Sequence, residues 1–379
     1  MNDTTPPNPT GKSSMNMIEL KQVSKQYGNV QALAPVDLTV REGEFVTLLG
    51  PSGSGKTTLL NLIAGMIAPT TGQVFIQGQD VTQCPPSQRK LGMVFQNYAL
   101  MPHMTVFENI AFPLRVRHMA KDEIAHKVAE VLKLVRLPDI ASRKPRELSG
   151  GQQQRVSLAR CIVYNPALIL LDEPLGALDK KLREHMQLEI RRVHAELGIT
   201  MLNVTHDQDE ALTMSDRIVL MNDGRIEQIA EPETLYFLPR TVFAADFIGT
   251  ANLIAGKIQQ KAGDHLKIST ELGQLDALAG PDSVAATLPT DAPVMLLLRP
   301  ENVHMSTAGE QIDGEASRFE GVIEDSIILG GLVRHHVRLT PNVQMIVQKQ
   351  NHRACSALTR GTRVHLHWDE QDCQVLAAR

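Results

Sequence analysis

Two textures of hydrophobic pattern divide the chain. From Ile18 onward, short apolar runs alternate with stretches whose apolar residues recur every three or four positions. Buried strands linked by amphipathic helices produce this pattern, so it predicts an α/β domain with a largely parallel sheet. Glu44 to Leu49 predicts a strand running into Gly50, and Leu168 to Leu171 predicts another that ends on Asp172. Ile124, Val128, Val131, Leu132 and Val135 share one face of a predicted helix, and Met186, Ile190, Val193 and Leu197 repeat the spacing before Gly198. Beyond about Asp246 the pattern shortens to alternation. Val343, Met345 and Val347 alternate with Gln344 and Gln348, and Val364, Leu366 and Trp368 with Arg363, His365 and His367. A period of two predicts a small β-rich domain with one wet face. The expected organisation is a tail over 1–17, an α/β domain over 18–249 and a β-rich domain over 250–379.

Composition adds exclusions. With 379 residues, 42% hydrophobic and 21% charged, the chain suits a soluble globular protein of two or three domains. No apolar run approaches the ~18 residues that span a bilayer. The opening MNDTTPPNPTGKSSMNM has neither a basic start nor an apolar core for export, and is expected to be a mobile tail. A net charge of −4 advertises no nucleic-acid partner, so any anion site must be local. Cys84, Cys161, Cys355 and Cys373 form no Cys-x-x-Cys pair, which argues against a disulfide framework or zinc site and suits a reducing cytosol.

The strongest local signal is Gly50-Pro51-Ser52-Gly53-Ser54-Gly55-Lys56-Thr57, a G-x-x-x-x-G-K-[ST] loop between a predicted strand and a helix. Its glycines let backbone N–H groups approach phosphate oxygens, and the helix N-terminus that includes Thr58 adds partial positive charge. Lys56 is expected on the β- and γ-phosphates of ATP, with the Thr57 hydroxyl on Mg²⁺. A nucleotide hydrolase also needs a carboxylate strand. Leu168 to Leu171 supplies it, with Asp172 placed to hold Mg²⁺ and Glu173 to act as general base on water. Alone, two acids after a strand would read as a helix cap or turn.

Leu148-Ser149-Gly150-Gly151-Gln152 precedes Asp172 in the order found in ATP-binding-cassette ATPases, and the chain from Ile18 to Gly249 resembles that family. The resemblance implies a RecA-like P-loop core with a helical subdomain over about 95–160. It also implies roles for further residues. Gln96 resembles the glutamine that links the metal site to the permease contact, Asp179 in Ala177-Leu178-Asp179 the loop that crosses the dimer, His206 the switch histidine, and Tyr27 the aromatic that stacks on adenine. Independently, Ser149 is a good N-cap for the helix from Gln152 onward, with Gly150 and Gly151 leaving its first N–H groups open to an anion. A second anion site makes sense if two copies face each other.

The region around Leu298-Arg299-Pro300-Glu301 resembles the OB-like (TOBE) regulatory domain of cassette ATPases that serve bacterial solute importers, and looks most like polyamine importers. Iron, sulfate and sugar relatives share much of that plan. From Thr250 on the aromatics are only Phe319 and Trp368, too few for an oligonucleotide stacking platform. His335, His336, His365 and His367 are expected on a wet strand face rather than on metal. The resemblance implies a homodimer on the cytoplasmic face of the inner membrane, working with two permease subunits and a solute-binding protein. A soluble cassette ATPase acting on ribosomes or DNA usually carries two cassettes or a coiled-coil insertion, and neither is present here. The apolar string Tyr98-Ala99-Leu100-Met101-Pro102, with His103, is expected to form the permease docking surface.

Overall fold

The computed structural model describes residues 16–176, 178–280, 284–307, 318–352 and 358–378. Most of the expected tail, together with Ala177 and Cys355, lies outside the described residues, and the first strand already begins at Asn16. The chain divides into two compact units, Met1–Pro232 and Glu233–Arg379.

The first unit begins with strands β1 (Asn16–Tyr27), β2 (Val30–Arg41) and β3 (Phe45–Leu49), then helix α1 (Lys56–Ala64). Strands β4 (Thr71–Ile76), β5 (Gln79–Asp80) and β6 (Gly92–Val94) lead to the helices α2 (Val106–Val116), α3 (Lys121–Leu134) and α4 (Gly150–Ile162). There follow β7 (Leu168–Asp172), α5 (Lys180–Leu197), β8 (Thr200–Thr205), α6 (Gln208–Met214), β9 (Arg217–Asn222) and β10 (Arg225–Ala230). β2-β1-β4-β5 form an antiparallel sheet; the second sheet runs β10-β9-β3-β8-β7-β6 and is parallel except for its edge strand β10. Strand β7 shows why its sequence is a continuous apolar run. Leu168 and Leu170 enter a core with α1 and the antiparallel sheet, whereas Ile169 and Leu171 enter a second core with α2, α3, α4 and α5. Both faces of a parallel strand are covered, so both must be apolar. The sheet order β3-β8-β7-β6 brings the carboxyl ends of four parallel strands side by side, where an open α/β sheet binds its ligands.

In the second unit, α7 (Pro232–Phe237) and α8 (Val242–Phe247) precede a closed barrel. Its strands are β11 (Asn252–Ala262), β12 (His265–Thr270), β13 (Gly273–Ala279) and β14 (Pro293–Leu298). The chain then forms a second sheet from β15 (His304–Thr307), β16 (Phe319–Ile328), β17 (Leu332–Arg338), β18 (Gln344–Gln350) and β19 (Arg363–His367). It returns as β20 (Cys373–Ala377) to close the barrel between β13 and β14. One apolar core joins the two sheets.

The compact division falls before the 249/250 boundary that the hydrophobic pattern suggests. The reason is Arg299, buried at the end of β14. Its guanidinium donates to Tyr236 O at 2.8 and 3.3 Å and to Ala245 O and Thr250 O, both at 3.1 Å. It also stacks 4.4 Å from the Tyr236 ring, whose hydroxyl donates to Glu301. Ala245 packs on Leu297 and Leu376, so α7 and α8 belong with the barrel.

The histidine expectation needs one correction. His335 is 0% exposed, inward with Val333 and Val337, and its Nδ1 lies 2.8 Å from Ser326 Oγ. Neighbouring residues of a strand face opposite sides, so His335 and His336 could not both be wet. His336, His365 and His367 are half-buried, and among the described residues no group of three metal-ligating side chains occurs.

Candidate functional site

Strand β3 delivers the phosphate-binding loop. A Cβ at Gly50 would stand 2.2 Å from Met221 O, so only glycine lets the loop lie this close to β9. Gly55 has φ 94°, and a Cβ there would stand 2.9 Å from Ala32 O. Gly55 is also the N-cap of α1, with no side-chain cap and no acidic residue in the first turn. The first N–H groups of α1 are therefore left to an anion. Ser52 and Gly53 are exposed on the loop, Pro51 is half-buried, Ser54 is buried, and Thr57 and Thr58 follow as exposed and half-buried residues of α1. Lys56 is buried; its Nζ donates to Gly50 O and Pro51 O, both at 2.8 Å. Burial lowers the Lys56 pKa, and the Glu173 carboxylate acts against that shift.

Asp172 ends β7 half-buried, its pKa raised by burial and then by the neighbouring Glu173. Glu173 has φ 45°, a conformation that costs a non-glycine residue about 1 to 3 kcal/mol. Its amide donates to Val204 O at 2.9 Å, which pins the strained residue against β8. Its carboxylate accepts from Gln96 Nε2 at 3.2 Å through Oε2, while His206 Nδ1 lies 3.2 Å from Oε1. The structure thus brings together three predicted residues, from the segments after β6, β7 and β8.

The predicted signature segment stands on α4. Its helix starts two residues earlier than expected, at Gly150, with Ser149 as N-cap. Ser149 Oγ accepts from Gln152 N at 3.4 Å, and Gln152 Oε1 accepts from Ser149 N at 3.0 Å, a reciprocal capping box. A Cβ at Gly151 would come 2.9 Å from Leu182 Cδ1, so the missing side chain lets the starts of α4 and α5 close together. Asp179 caps α5 by accepting from Leu182 N at 3.0 Å. The hydrogen bonds of Ser149 and Asp179 stay within their own helix starts; neither joins the Lys56–Glu173 group. Tyr27 is 50% exposed at the tip of the β1–β2 hairpin, with Lys25 Nζ 5.0 Å from its ring. Its pairing partner Val30 lies on the same strand as Ala32, whose carbonyl abuts Gly55.

Two features differ from, or were missed by, the sequence reading. Tyr98 is buried, with its carbonyl accepting from Ser157 Oγ and Arg160 Nη2, both at 2.9 Å; Leu100 packs half-buried on the helical core. The string is apolar partly because it anchors itself between α2 and α4, leaving Ala99, Pro102 and His103 as its exposed part. The second feature is a polar group around His206. Arg183 donates to Asp207 Oδ2 at 2.8 Å and to Leu178 O at 3.0 Å, tying the segment before α5 to the one after β8. Below it lies Glu210, 2% exposed, its carboxyl pushed up to about 7 by burial. The only sequence signal for Glu210 is its position three residues after the N-cap Asp207, which reads as an ordinary exposed helix start.

Comparison with known proteins reveals relatives for both units. The ABC transporter family matches residues 33–176, and the TOBE domain family matches residues 296–376. The "Spermidine/putrescine import ATP-binding protein PotA" of Thermobifida fusca is 46% identical over 95% of this chain and 93% of its own. Its namesake from Rubrobacter xylanophilus is 43% identical over 96% and 94%. Among solved structures, "Dimeric structure of a post-hydrolysis state of the ATP-binding cassette MJ0796 bound to ADP and Pi" matches 57% of this chain and 99% of that one. It does so at TM-score 0.51 and 38% identity. "Dimeric Structure of MJ0796, a Bacterial ABC Transporter Cassette" matches the same shares at 40% identity and TM-score 0.51.

Proposed function

The chain belongs to the ABC transporter ATPases, and from that premise we propose that it hydrolyses ATP to drive import of the polyamines spermidine and putrescine. The observation that carries the ATPase reading is the Glu173 carboxylate, held between Gln96 and His206 at the strand ends that also carry the Lys56 loop. In this reading the loop from Gly50 to Thr57 and the start of α1 hold the phosphates by backbone N–H groups. Lys56 exchanges its bonds to Gly50 O and Pro51 O for phosphate oxygens. Glu173 takes the proton of the attacking water while Gln96 and His206 keep its two oxygens in place. Tyr27 offers its exposed face to adenine.

The residues also fit Mg²⁺. Asp172 and Glu173 are adjacent acids whose mutual repulsion a cation would relieve, and Thr57 presents an exposed hydroxyl at the start of α1. A magnesium site needs only one or two carboxylates, because phosphate and water oxygens complete its octahedron. Asp172, Thr57 and Gln96 would hold the ion. When bound, it would supply Lewis-acid stabilisation of the phosphate charge.

Two copies are part of the proposal. Ser149, Gly150, Gly151 and Gln152 form a capped helix start whose capping box occupies the N–H groups of Ser149 and Gln152 and leaves those of the two glycines, and Asp179 caps the neighbouring α5; in a facing copy they would close over the γ-phosphate. Among the described residues no helix is long and apolar enough to cross a membrane. In the importer reading that its relatives' names support, two separate permease chains would supply the channel. A solute-binding protein would supply the polyamine, with this subunit on the cytoplasmic face of the inner membrane. Polyamine is favoured because likeness to importers so named extends along both units. The test is reconstitution with cognate permease and binding protein in proteoliposomes loaded with ATP. Labelled spermidine should accumulate with wild type and stay at background with Glu173→Gln. Uptake of sulfate, iron or a sugar in place of spermidine and putrescine would overturn the solute assignment.

A further inference from the structure

A buried polar cluster lies beneath the His206 loop and has no part in the chemistry above. It starts on the strand that carries the phosphate loop, where Thr47 Oγ1 accepts from Ser215 Oγ at 2.6 Å and lies 3.5 Å from Asn203 Nδ2. Asn203 Nδ2 also donates to Glu210 Oε1 at 2.9 Å, and Thr205 Oγ1 donates to Glu210 Oε2 at 3.1 Å. All five side chains are buried. A carboxyl group this deep normally has a cation against it, because isolated burial of the ion is costly. Glu210 makes no ion pair among the described residues. Retaining an acid there without a partner destabilises the fold, so the position calls for a functional reason.

Geometry supplies one. His206 is the single residue between Thr205 and Asp207, and both are tied to Glu210. Asp207 N donates to Thr205 Oγ1 at 3.0 Å, while Asp207 Oδ1 accepts from Glu210 N at 3.1 Å. The backbone that presents His206 to Glu173 is therefore fastened to the Glu210 carboxyl group through the Thr205 hydroxyl, which also accepts from Asp207 N, while the Asp207 side chain is held by the Glu210 amide. A second observation is independent of the first: Asn203 Oδ1 is buried with no hydrogen-bond partner among the described residues, while its Nδ2 faces Glu210. An ionised carboxylate needs Nδ2 toward it; a protonated one can donate to Oδ1 once the amide turns over. Asn203 holds the acceptor that the second protonation state would use.

We propose that Glu210 is a positioning residue for hydrolysis: through the Thr205 hydroxyl its carboxyl group holds the loop that presents His206 to Glu173, and taking up a proton loosens that hold and slows turnover without weakening ATP binding. The inference rests on the ATPase reading above. Charge-assisted bonds from Asn203 and Thr205 are the stronger kind, and protonation exchanges them for neutral ones. Burial is the largest influence on this carboxyl and raises its pKa to about 7; Asn203 and Thr205 act against burial, Asp207 adds to it, and Arg183 opposes it. Around α6, strands β3 and β8 contribute the neutral Thr47, Asn203 and Thr205. Helix α5 contributes Arg183, bonded to Asp207, and Arg191, bonded to Met214 O, while α6 itself carries Asp209.

The test measures kcat for ATP and the affinity for a fluorescent ATP analogue on the full-length protein, from about pH 6 to about pH 8.5. Wild-type kcat should rise several-fold through neutrality while affinity stays within about twofold. Glu210→Gln keeps shape and hydrogen bonding but cannot titrate, so the rise should flatten by about threefold or more at an unchanged melting temperature. His206 is present in both proteins, so the difference between their profiles belongs to Glu210. Thr205→Val keeps the carboxyl but cuts its link to the loop; it should lower kcat about tenfold with nucleotide affinity retained. A wild-type pH profile in Glu210→Gln would overturn the proposal, as would a loss confined to KM in Thr205→Val. Failure of the wild type to hydrolyse ATP at any pH would sink the ATPase reading instead.

Discussion

The two units treat their polar residues in opposite ways. Around Glu173 the polar atoms sit at strand ends, bonded at 3.2 Å to Gln96 and His206, and the His206 side chain is 59% exposed. Around Arg299 they are withdrawn into the structure, with four hydrogen bonds to three carbonyls and a stacked tyrosine ring. Solvent access leaves capacity for a reacting molecule. A fully committed guanidinium leaves little and works as a clamp. A cluster's purpose is thus read from what it leaves unbonded more than from its residue types, since both clusters pair a cation or imidazole with acids.

If that contrast is right, Lys56→Ala should have the largest functional effect. Loss of one such electrostatic contact is worth about 3 to 4 kcal/mol in comparable sites, and the cation serves bound ATP and the transition state together. Steady-state kinetics should show kcat falling and KM rising with little change in melting temperature. Arg299→Met should do the converse. Leaving the carbonyls of Tyr236, Ala245 and Thr250 without their donor should cost the second unit about 2 to 3 kcal/mol. Calorimetry should show its transition lowered while KM for ATP is unchanged; lost ATP binding at wild-type stability would break the contrast.

A smaller effect sharpens the picture within the second unit. Burial first, and then Lys349, lower the pKa of His335. A histidine with a depressed folded pKa binds its proton more readily when unfolded, so its share of stability is full above about pH 6.5 and declines as pH falls below that. The second unit's thermal midpoint should therefore drop from pH 7 to pH 5 by more in wild type than in His335→Leu. The smallest effect is chemical. Burial pushes the Cys161 thiol up to about 11 and the Cys373 thiol up to about 12. Both should label with a disulfide reagent far more slowly than half-buried Cys84 in the native protein, and at similar rates after unfolding.

Much of the first unit was legible because its signals are local. Leu168 to Leu171 reads as buried on both faces, and it is; Ser149 reads as a cap, and it caps. The glycine loop declares itself by spacing. What escaped depends on residues far apart in the chain. The division after Pro232 follows from Arg299 reaching back to Tyr236 and Ala245, which no window on either segment reveals. Tyr98 turned inward because Ser157 and Arg160, on a later helix, hold its carbonyl. His335 was within reach of the sequence, since it shares strand parity with Val333 and Val337, but its polarity argued louder than its position. Glu210 was not, because Thr47 and Asn203 close over it only once β3 and β8 pair.

The central claim is that Glu173 is the base of an ATP site completed by a second copy. It is tested most directly by mixing purified Glu173→Gln with Mg²⁺ and ATP, then measuring together the molar mass by light scattering and the phosphate released. The account predicts a stable dimer holding unhydrolysed ATP, with phosphate release reduced about a hundredfold or more. Release within twofold of wild type, or a monomer that binds ATP at full affinity, would contradict it.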